Sequence, residues 1–242
     1  MAARKPPESW FWSHDIRPTQ IDSVVMPGTR LMRLSSYGRG EARRYAAVVF
    51  KAPGPERSYA LELDAAALAA RLRDTGARPV SITVSEDLPR RFSVVLETGP
   101  GSPSSLHVDL DEAGVRALVD DQHGIVDFAT YAVDGARKYA AIVEDRPGPS
   151  WFLAGLTANQ LDAALLEREA RLVRVRGYGD GGRRAFAAVA EPAGPASWAW
   201  YAELDGDRVA RNLETNHAYP FDLDATRDDR GVHFTVVMYR ER

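Results

Sequence analysis

The chain has 242 residues, of which 45% are hydrophobic and 27% are charged, a composition typical of a folded protein and unlike that of a disordered or collagen-like chain. Its formal net charge is −3, which excludes a general electrostatic attraction to nucleic acid or to an anionic membrane surface. It contains no cysteine, which excludes disulfides, thiolate nucleophiles and cysteine metal sites.

The N-terminal residues lack the apolar core of a signal peptide, and no uncharged apolar run approaches the roughly 18 residues of a membrane span. As written, the sequence predicts a cytoplasmic protein or the mature form of a secreted one. Residues 1–8 are predicted to be a flexible tail.

Five copies of one sequence pattern follow one another along residues 9–242, which are predicted to form a single repeat domain. An aromatic residue marks each copy, and successive markers are 47 or 48 residues apart: Tyr45, Phe92, Tyr139, Phe186 and Phe234. The copies span approximately residues 9–51, 57–97, 104–144, 149–191 and 196–240.

The first copy shows the order of the predicted elements. An aromatic strand at residues 10–12 precedes a helix, in which Ile21, Val24 and Val25 occupy the i, i+3 and i+4 positions of one face. A second strand over residues 30–34 and a third over residues 44–50 are joined by a turn that contains Tyr37 and Gly38. Later copies repeat this order, with weaker helical patterns in copies two and five.

These elements predict an α+β fold, a mixed α/β repeat of five tandem β-α-β-β units. The helix permits a parallel crossover from the first to the second strand, and short turns would pair the second strand with the third and the third with the next copy. All strands would then join one long curled mixed sheet, a half-barrel or a closed ring, with the helices on one face.

Alternation along the second strands separates an apolar face from a polar face. In the first copy, for example, Met32 and Leu34 alternate with Arg33 and Ser35. We expect the apolar set to face the helices and the polar set to face water.

Ligand-binding candidates are predicted on this water-facing side, at positions where the copies differ. Exposed aromatic side chains beside arginines often form binding hot spots. The candidates are Phe11, Arg33, Trp151, Arg174, Arg176, Tyr201 and Asp222. Other aromatics occupy the strand positions that alternate in phase with the apolar residues, and they are expected in the core: Trp10, Trp12, Phe152, Trp198 and Trp200. Recurrence at the ends of second strands favours a structural role for Tyr37, Tyr131 and Tyr178.

The motifs of the common catalytic and metal sites are missing from the sequence. It has no Gly-x-Ser-x-Gly elbow, no Gly-x-x-x-x-Gly-Lys phosphate loop and no His-Glu-x-x-His. The five histidines fall at unrelated positions of different copies, and the Asp205/Asp207 and Asp222/Asp224 pairs do not continue into a calcium loop. The sequence therefore predicts no catalytic residue, no metal site and no cofactor.

The pattern of aromatic strand, helix, Arg-x-Val strand, Tyr-Gly turn and Arg-Tyr-Ala-Ala-Val strand resembles a bacterial tandem-repeat family related to the N-terminal domain of polyglycine hydrolases. The best matches are residues 30–50 and 171–190, and the resemblance covers residues 9–239. Copies two, three and five lack one or more of the Arg, Tyr-Gly or aromatic positions. The resemblance implies repeats that assist substrate or surface binding. In polyglycine hydrolases such repeats precede a serine hydrolase domain, but its Ser-x-x-Lys motif is missing here.

Together these features predict a non-catalytic module that binds a peptide, a glycan or a protein, with neither nucleic acid nor membrane as a partner. One alternative is a hydrolase that acts on peptide or cell-wall material through an unrecognised site. Another is a structural or assembly protein, in which an unpaired first strand at residues 10–13 joins a second chain edge to edge and forms an oligomer.

Overall fold

A computed structural model describes residues 6–85 and 87–240 as five consecutive β-α-β-β units. The first unit contains β1 (Ser9–Ile16), α1 (Ile21–Val24), β2 (Arg30–Tyr37) and β3 (Arg44–Lys51). The second contains β4 (Arg57–Leu63), α2 (Ala65–Thr75), β5 (Arg78–Val84) and β6 (Phe92–Glu97). The third contains β7 (Ser104–Leu110), α3 (Glu112–Arg116), β8 (His123–Val133) and β9 (Ala136–Asp145). The fourth contains β10 (Trp151–Leu156), α4 (Ala158–Glu167), β11 (Ala170–Asp180) and β12 (Arg183–Pro192). The fifth contains β13 (Trp198–Leu204), α5 (Gly206–Thr215), β14 (Ala218–Asp228) and β15 (Gly231–Arg240).

Each unit forms its own three-stranded antiparallel sheet, in which the third strand lies in the middle. The predicted α+β class, the five units and the hairpin between second and third strands are confirmed. The predicted pairing of first and second strands is wrong, because the third strand separates them. The first strand is also not unpaired, since Trp10 of β1 lies opposite Phe50 of β3. The described strands form five separate sheets and not one.

Every first strand ends in a bulge with one residue in the left-handed backbone region. These residues have φ between 56° and 73°, and they are Asp15, Glu62, Asp109, Gly155 and Glu203. In three units the tyrosine of the second strand accepts a hydrogen bond from this residue: Asp15 N to Tyr37 Oη at 2.8 Å, Asp109 N to Tyr131 Oη at 2.8 Å, and Gly155 N to Tyr178 Oη at 3.0 Å. The three hydroxyls hold the bulge in place, so the predicted structural role of the tyrosines is confirmed.

Every second strand also has a bulge, at the same point of the repeat. The extra residues are Met32, Val80, Val126, Val173 and Phe221. A bulge bends its strand and changes the direction of the side chains that follow it. The polar residues of the second strands begin directly after this point.

Helices α2 to α5 pack against strands of their own units and begin at side-chain caps. The capping oxygens belong to Asp64, Asp111, Thr157 and Asp205. Among the described residues, no helix has the length and apolar character needed to cross a membrane.

Neighbouring units contact one another through their second strands and through aromatic side chains. Strand β2 contacts β5, β5 contacts β8, β8 contacts β11, β11 contacts β14, and β14 contacts β2. A first-strand aromatic meets the marker aromatic of the preceding unit edge to face: Phe152 on Tyr139 at 5.3 Å, Trp200 on Phe186 at 5.5 Å, and Trp12 on Phe234 at 5.7 Å. The first unit therefore packs on the fifth through the same kind of contact as other units make.

The tyrosine hydrogen bonds predict a measurable loss of stability on Tyr178→Phe. The change leaves the partly buried N–H of Gly155 without its acceptor, so we expect the free energy of unfolding to fall by about 1 kcal/mol. Urea unfolding measures this as a lower midpoint. Tyr201→Phe is the matched control, because the Tyr201 hydroxyl has no hydrogen bond to any described residue although its ring packs on the core. Equal midpoints for the two variants would contradict the assigned role.

Candidate functional site

The second strand of each unit is an edge strand whose outer backbone groups face the next second strand. No further described strand pairs with these groups, and side chains bond to some of them at each junction. At four junctions a backbone N–H donates to a side-chain oxygen at 2.9 or 3.0 Å: Ser36 to Thr83, Ile82 to Asp127, Val175 to Asp222, and Ala225 to Ser35. Between the third and fourth units the direction is reversed, and Arg176 Nε donates to the Phe128 carbonyl at 2.9 Å.

A buried ionic cluster lies where these strands meet. Its cations are Arg33, Arg174 and Arg176, and its anions are Asp127, Asp222 and Asp224. Arg176 connects two of the anions, with Nη1 2.7 Å from Asp222 Oδ2 and Nη2 2.5 Å from Asp127 Oδ1. Looser contacts of 3.5 Å join Arg33 Nε to Asp222 and Arg174 Nε to Asp127. The cluster draws on four of the five units and balances its charges.

Burial and neighbouring charges shift the pKa values of this cluster in opposite directions. Burial raises the pKa of the Asp127 carboxyl, against the opposing effect of Arg176 and Arg33. Burial also raises the pKa of Asp224 to about 6, although Arg176 and the Gly177 N–H favour its ionised form. For Arg176, burial alone would lower the pKa, but Asp222, Asp127 and Asp224 together raise it. Arg176 therefore stays charged and holds the aspartates near it.

The structure brings together four of the seven predicted site residues, but not on a water-facing side. Arg33, Arg174 and Arg176 are 4–6% exposed and Asp222 is 0% exposed, so their predicted exposure to water is wrong. The physical reason is that the second strands turn towards one another after their bulges, which places the polar residues between sheets.

The other three predicted residues lie apart from the cluster. Phe11, Trp151 and Tyr201 are half-buried on β1, β10 and β13. In each unit the third strand separates these first strands from the second strand that supplies the cluster. The sequence therefore predicted one surface where the structure has two separate locations.

A cavity of about 730 Å³ opens at the end of the units where second and third strands join. All five units line it. Its floor has one buried residue from the same position of each second strand: Ser35, Thr83, Ala129, Arg176 and Asp224. Arg176 and Asp224 belong to the ionic cluster as well, so the cluster lies directly beneath the floor. We refer to this space as the turn-end cavity.

The described lining of the turn-end cavity has more cations than anions. Four aspartates line it, Asp87, Asp134, Asp224 and Asp228. Eight arginines line it, namely Arg39, Arg90, Arg137, Arg176, Arg183, Arg184, Arg227 and Arg230. Positive charge in a concave, partly desolvated site attracts anionic groups more strongly than on an open surface. Carboxylates outside the lining neutralise part of this charge, as Asp109 does beside Arg90 and Glu203 beside Arg184, and the remaining positive charge suits the cavity to a ligand with negative charge.

Sequence reasoning missed most of this lining, although one signal was present. An arginine stands two residues before the marker aromatic in four of the five copies: Arg43, Arg90, Arg137 and Arg184. Three of the four line the cavity. Overlaying the copies on their marker aromatics would have revealed this position.

The described residues have no group of three His, Asp or Glu side chains placed to hold a metal ion. Two of the described histidines contact a carboxylate, the exposed His123 and the half-buried His233. His123 Nδ1 lies 2.9 Å from Asp120, and His233 Nε2 lies 2.9 Å from Asp228.

The raised pKa of Asp224 predicts how stability depends on pH. Its pKa is about 6 in the folded protein against an ordinary value of 3.8, so the unfolded chain ionises first as pH rises. Asp224 should therefore reduce the free energy of unfolding between pH 4 and pH 7, by up to about 3 kcal/mol. Asp224→Asn removes this titration, so we expect the variant to gain stability relative to the wild type over that range.

Chemical unfolding at several pH values measures this difference. Asp134→Asn, which changes an exposed aspartate of the same cavity, should follow the wild type. A stability difference between Asp224→Asn and the wild type that stays constant from pH 4 to pH 7 would contradict the assignment.

Comparison with known proteins identifies the repeat. A family model described as "Polyglycine hydrolase-like, structural repeat" matches residues 148–193, which contain the three strands and the helix of the fourth unit. No curated protein matches the chain. The match confirms the resemblance drawn from the sequence of the fourth copy. Residues 148–193 are thus similar to the polyglycine hydrolase-like structural repeat.

Proposed function

We propose that this chain is a non-catalytic binding module for a peptide, a glycan or a protein, and that its ligand occupies the turn-end cavity. The observation that carries the proposal is that all five units contribute to one cavity, with one floor residue from each. A site built from every repeat is typical of repeat proteins that bind ligands. The family description, a structural repeat, fits a non-catalytic role.

The proposal includes a closed arrangement of the five sheets, like the blades of a propeller, in place of the single curled sheet expected from sequence. Contacts between the first and fifth units support it. Ser35 accepts a hydrogen bond from the Ala225 N–H at 2.9 Å and donates one to Asp224 at 3.2 Å. The Trp12–Phe234 contact repeats the geometry of the Trp200–Phe186 contact. Closure would bring the ends of the five second strands around one central space.

The size and lining of the cavity support ligand binding. Its volume lies within the roughly 300–1,000 Å³ of typical ligand sites. Its floor is held by buried hydrogen bonds, while the arginines at its rim include exposed residues such as Arg39 and Arg227. A rigid floor lowers the entropic cost of binding, and charged rim residues speed the approach of a ligand.

Of the predicted ligand-binding residues, only Arg176 lines the turn-end cavity. Arg33, Arg174 and Asp222 support it from below through the ionic cluster. Phe11, Trp151 and Tyr201 would form a separate contact surface on the first strands. Mutations can distinguish the two locations, because a ligand bound to the first strands would not enter the cavity.

Filling the cavity should abolish binding. Ala132 is exposed and lines the cavity on β8, so we expect Ala132→Trp to fold normally and to weaken every ligand found by peptide, glycan or protein arrays at least tenfold. Ala136→Trp is the matched control, because Ala136 is an exposed alanine of the same hairpin that does not line the cavity. Isothermal titration calorimetry measures both affinities.

Two outcomes would contradict the proposal. A ligand that binds Ala132→Trp normally but loses affinity for Trp151→Ala or Tyr201→Ala would place the site on the first strands. Turnover of a peptide, ester or glycan substrate that a single point mutation abolishes would contradict the non-catalytic role.

A further inference from the structure

A repeated ion pair links neighbouring units at the cavity end of the molecule. The arginine that stands two residues before the marker aromatic reaches the acidic residue in the first-strand bulge of the next unit. Three junctions have this pair: Arg43 Nη1 to Glu62 at 2.5 Å, Arg90 Nη1 to Asp109 at 3.0 Å, and Arg184 Nε to Glu203 at 2.8 Å. The carboxylate always comes from a residue with positive φ.

The junction between the third and fourth units lacks the carboxylate. Its arginine is Arg137, but the bulge position in the fourth unit is Gly155. Arg137 has no ion pair with any described residue. Its contacts are one hydrogen bond, from Nη2 to the Gly179 carbonyl at 2.9 Å, and stacking on the Tyr178 ring at 4.3 Å. Arg90 is stacked in the same way on Tyr131, also at 4.3 Å, and it has its carboxylate partner in Asp109.

Arg137 is therefore held in position without a counter-charge. It is half-buried and lines the turn-end cavity, so a group bound there can reach it. A stacked guanidinium loses little freedom on binding, and its planar edge matches the two oxygens of a carboxylate or a phosphate. Arg227, another cavity arginine, also lacks an ion pair with a described residue and is exposed. Its charge adds to the attraction for an anion.

We propose that Arg137 binds a carboxylate of the ligand, which takes the place of the acidic residue present at the three equivalent junctions, and that the ligand is an acidic peptide. This assignment rests on the proposed function, because it places the ligand in the turn-end cavity. The carboxylate class follows from the three equivalent arginines, Arg43, Arg90 and Arg184, whose guanidinium groups all pair with Asp or Glu. The peptide commitment follows because those partners are themselves peptide side chains.

The fourth unit can be made to supply its own carboxylate. A side-chain carbon at Gly155 would meet no atom within 4 Å, and Asp15, Glu62, Asp109 and Glu203 already adopt φ between 56° and 60° at this position. Gly155→Asp should therefore place a carboxylate on Arg137, as Asp109 does on Arg90. Gly155→Ala is the matched control, since it adds a side-chain carbon at the same backbone position without the charge.

The test measures binding of an N-acetylated tetraglutamate peptide by calorimetry at low ionic strength, with tetraglutamine as the uncharged comparison. We expect the wild type and Gly155→Ala to bind tetraglutamate alike, and Gly155→Asp and Arg137→Gln to bind it at least tenfold more weakly. The NMR signal of the Arg137 Nε–H should shift on addition of peptide to the wild type. In Gly155→Asp it should already be shifted without peptide. Circular dichroism verifies that each variant is folded.

Three results would overturn the assignment. They are no binding of tetraglutamate to the wild type, equal binding of tetraglutamate to Gly155→Asp and Gly155→Ala, and equal binding of tetraglutamine and tetraglutamate. Failure of the Arg137 assignment is distinguishable from failure of the proposed function. If array ligands still lose affinity for Ala132→Trp, the cavity is the site and only the carboxylate at Arg137 is wrong.

Discussion

The structure depends on how the open edges of five second strands are satisfied. A buried backbone N–H or C=O without a partner costs about 1–3 kcal/mol, and each second strand has a row of them facing its neighbour. Aspartate, serine and threonine oxygens accept from these N–H groups, and arginine donates to the carbonyls. Side chains thus replace a strand at every junction. Burying aspartates then requires buried cations, which is why the arginines of the ionic cluster are present.

Much of the local structure could be predicted from sequence. The marker aromatics define the units, and the alternation of strand residues together with the turn residues defines the hairpins. Recurrence of Tyr37, Tyr131 and Tyr178 indicates a structural role for these tyrosines. Strand order could not be predicted, because a helix of this length can carry the chain past one strand as easily as to an adjacent one. The bulges in the second strands could not be predicted from sequence either. A residue such as Met32 has no property that distinguishes an extra residue from a regular one, yet it decides where Arg33 points.

The candidate site shows a second limit of sequence reasoning. Functional residues were expected where the copies differ, and of the seven residues named on that ground only Arg176 lines the cavity. The same rule includes Arg33, Arg174 and Asp222, which are buried beneath it. Copies also differ when they complement one another, since a cation in one unit needs an anion in another. Variation between repeats therefore reports either a ligand or a neighbouring repeat, and a contact such as Arg176–Asp222 is needed to tell which.

The ionic cluster also fixes the order of the units along the chain. The five backbones are alike, so on backbone grounds the fourth and fifth units could change places. Their side chains prevent this, because the fourth unit supplies Arg174 and Arg176 while the fifth supplies Asp222 and Asp224. Duplicating the fourth unit in place of the fifth would bring five guanidinium groups together, counting Arg33, in a buried space that screens charge poorly. Gene duplication produces identical copies, so each copy must have diverged in charge together with its neighbours, and the repeats are no longer interchangeable parts.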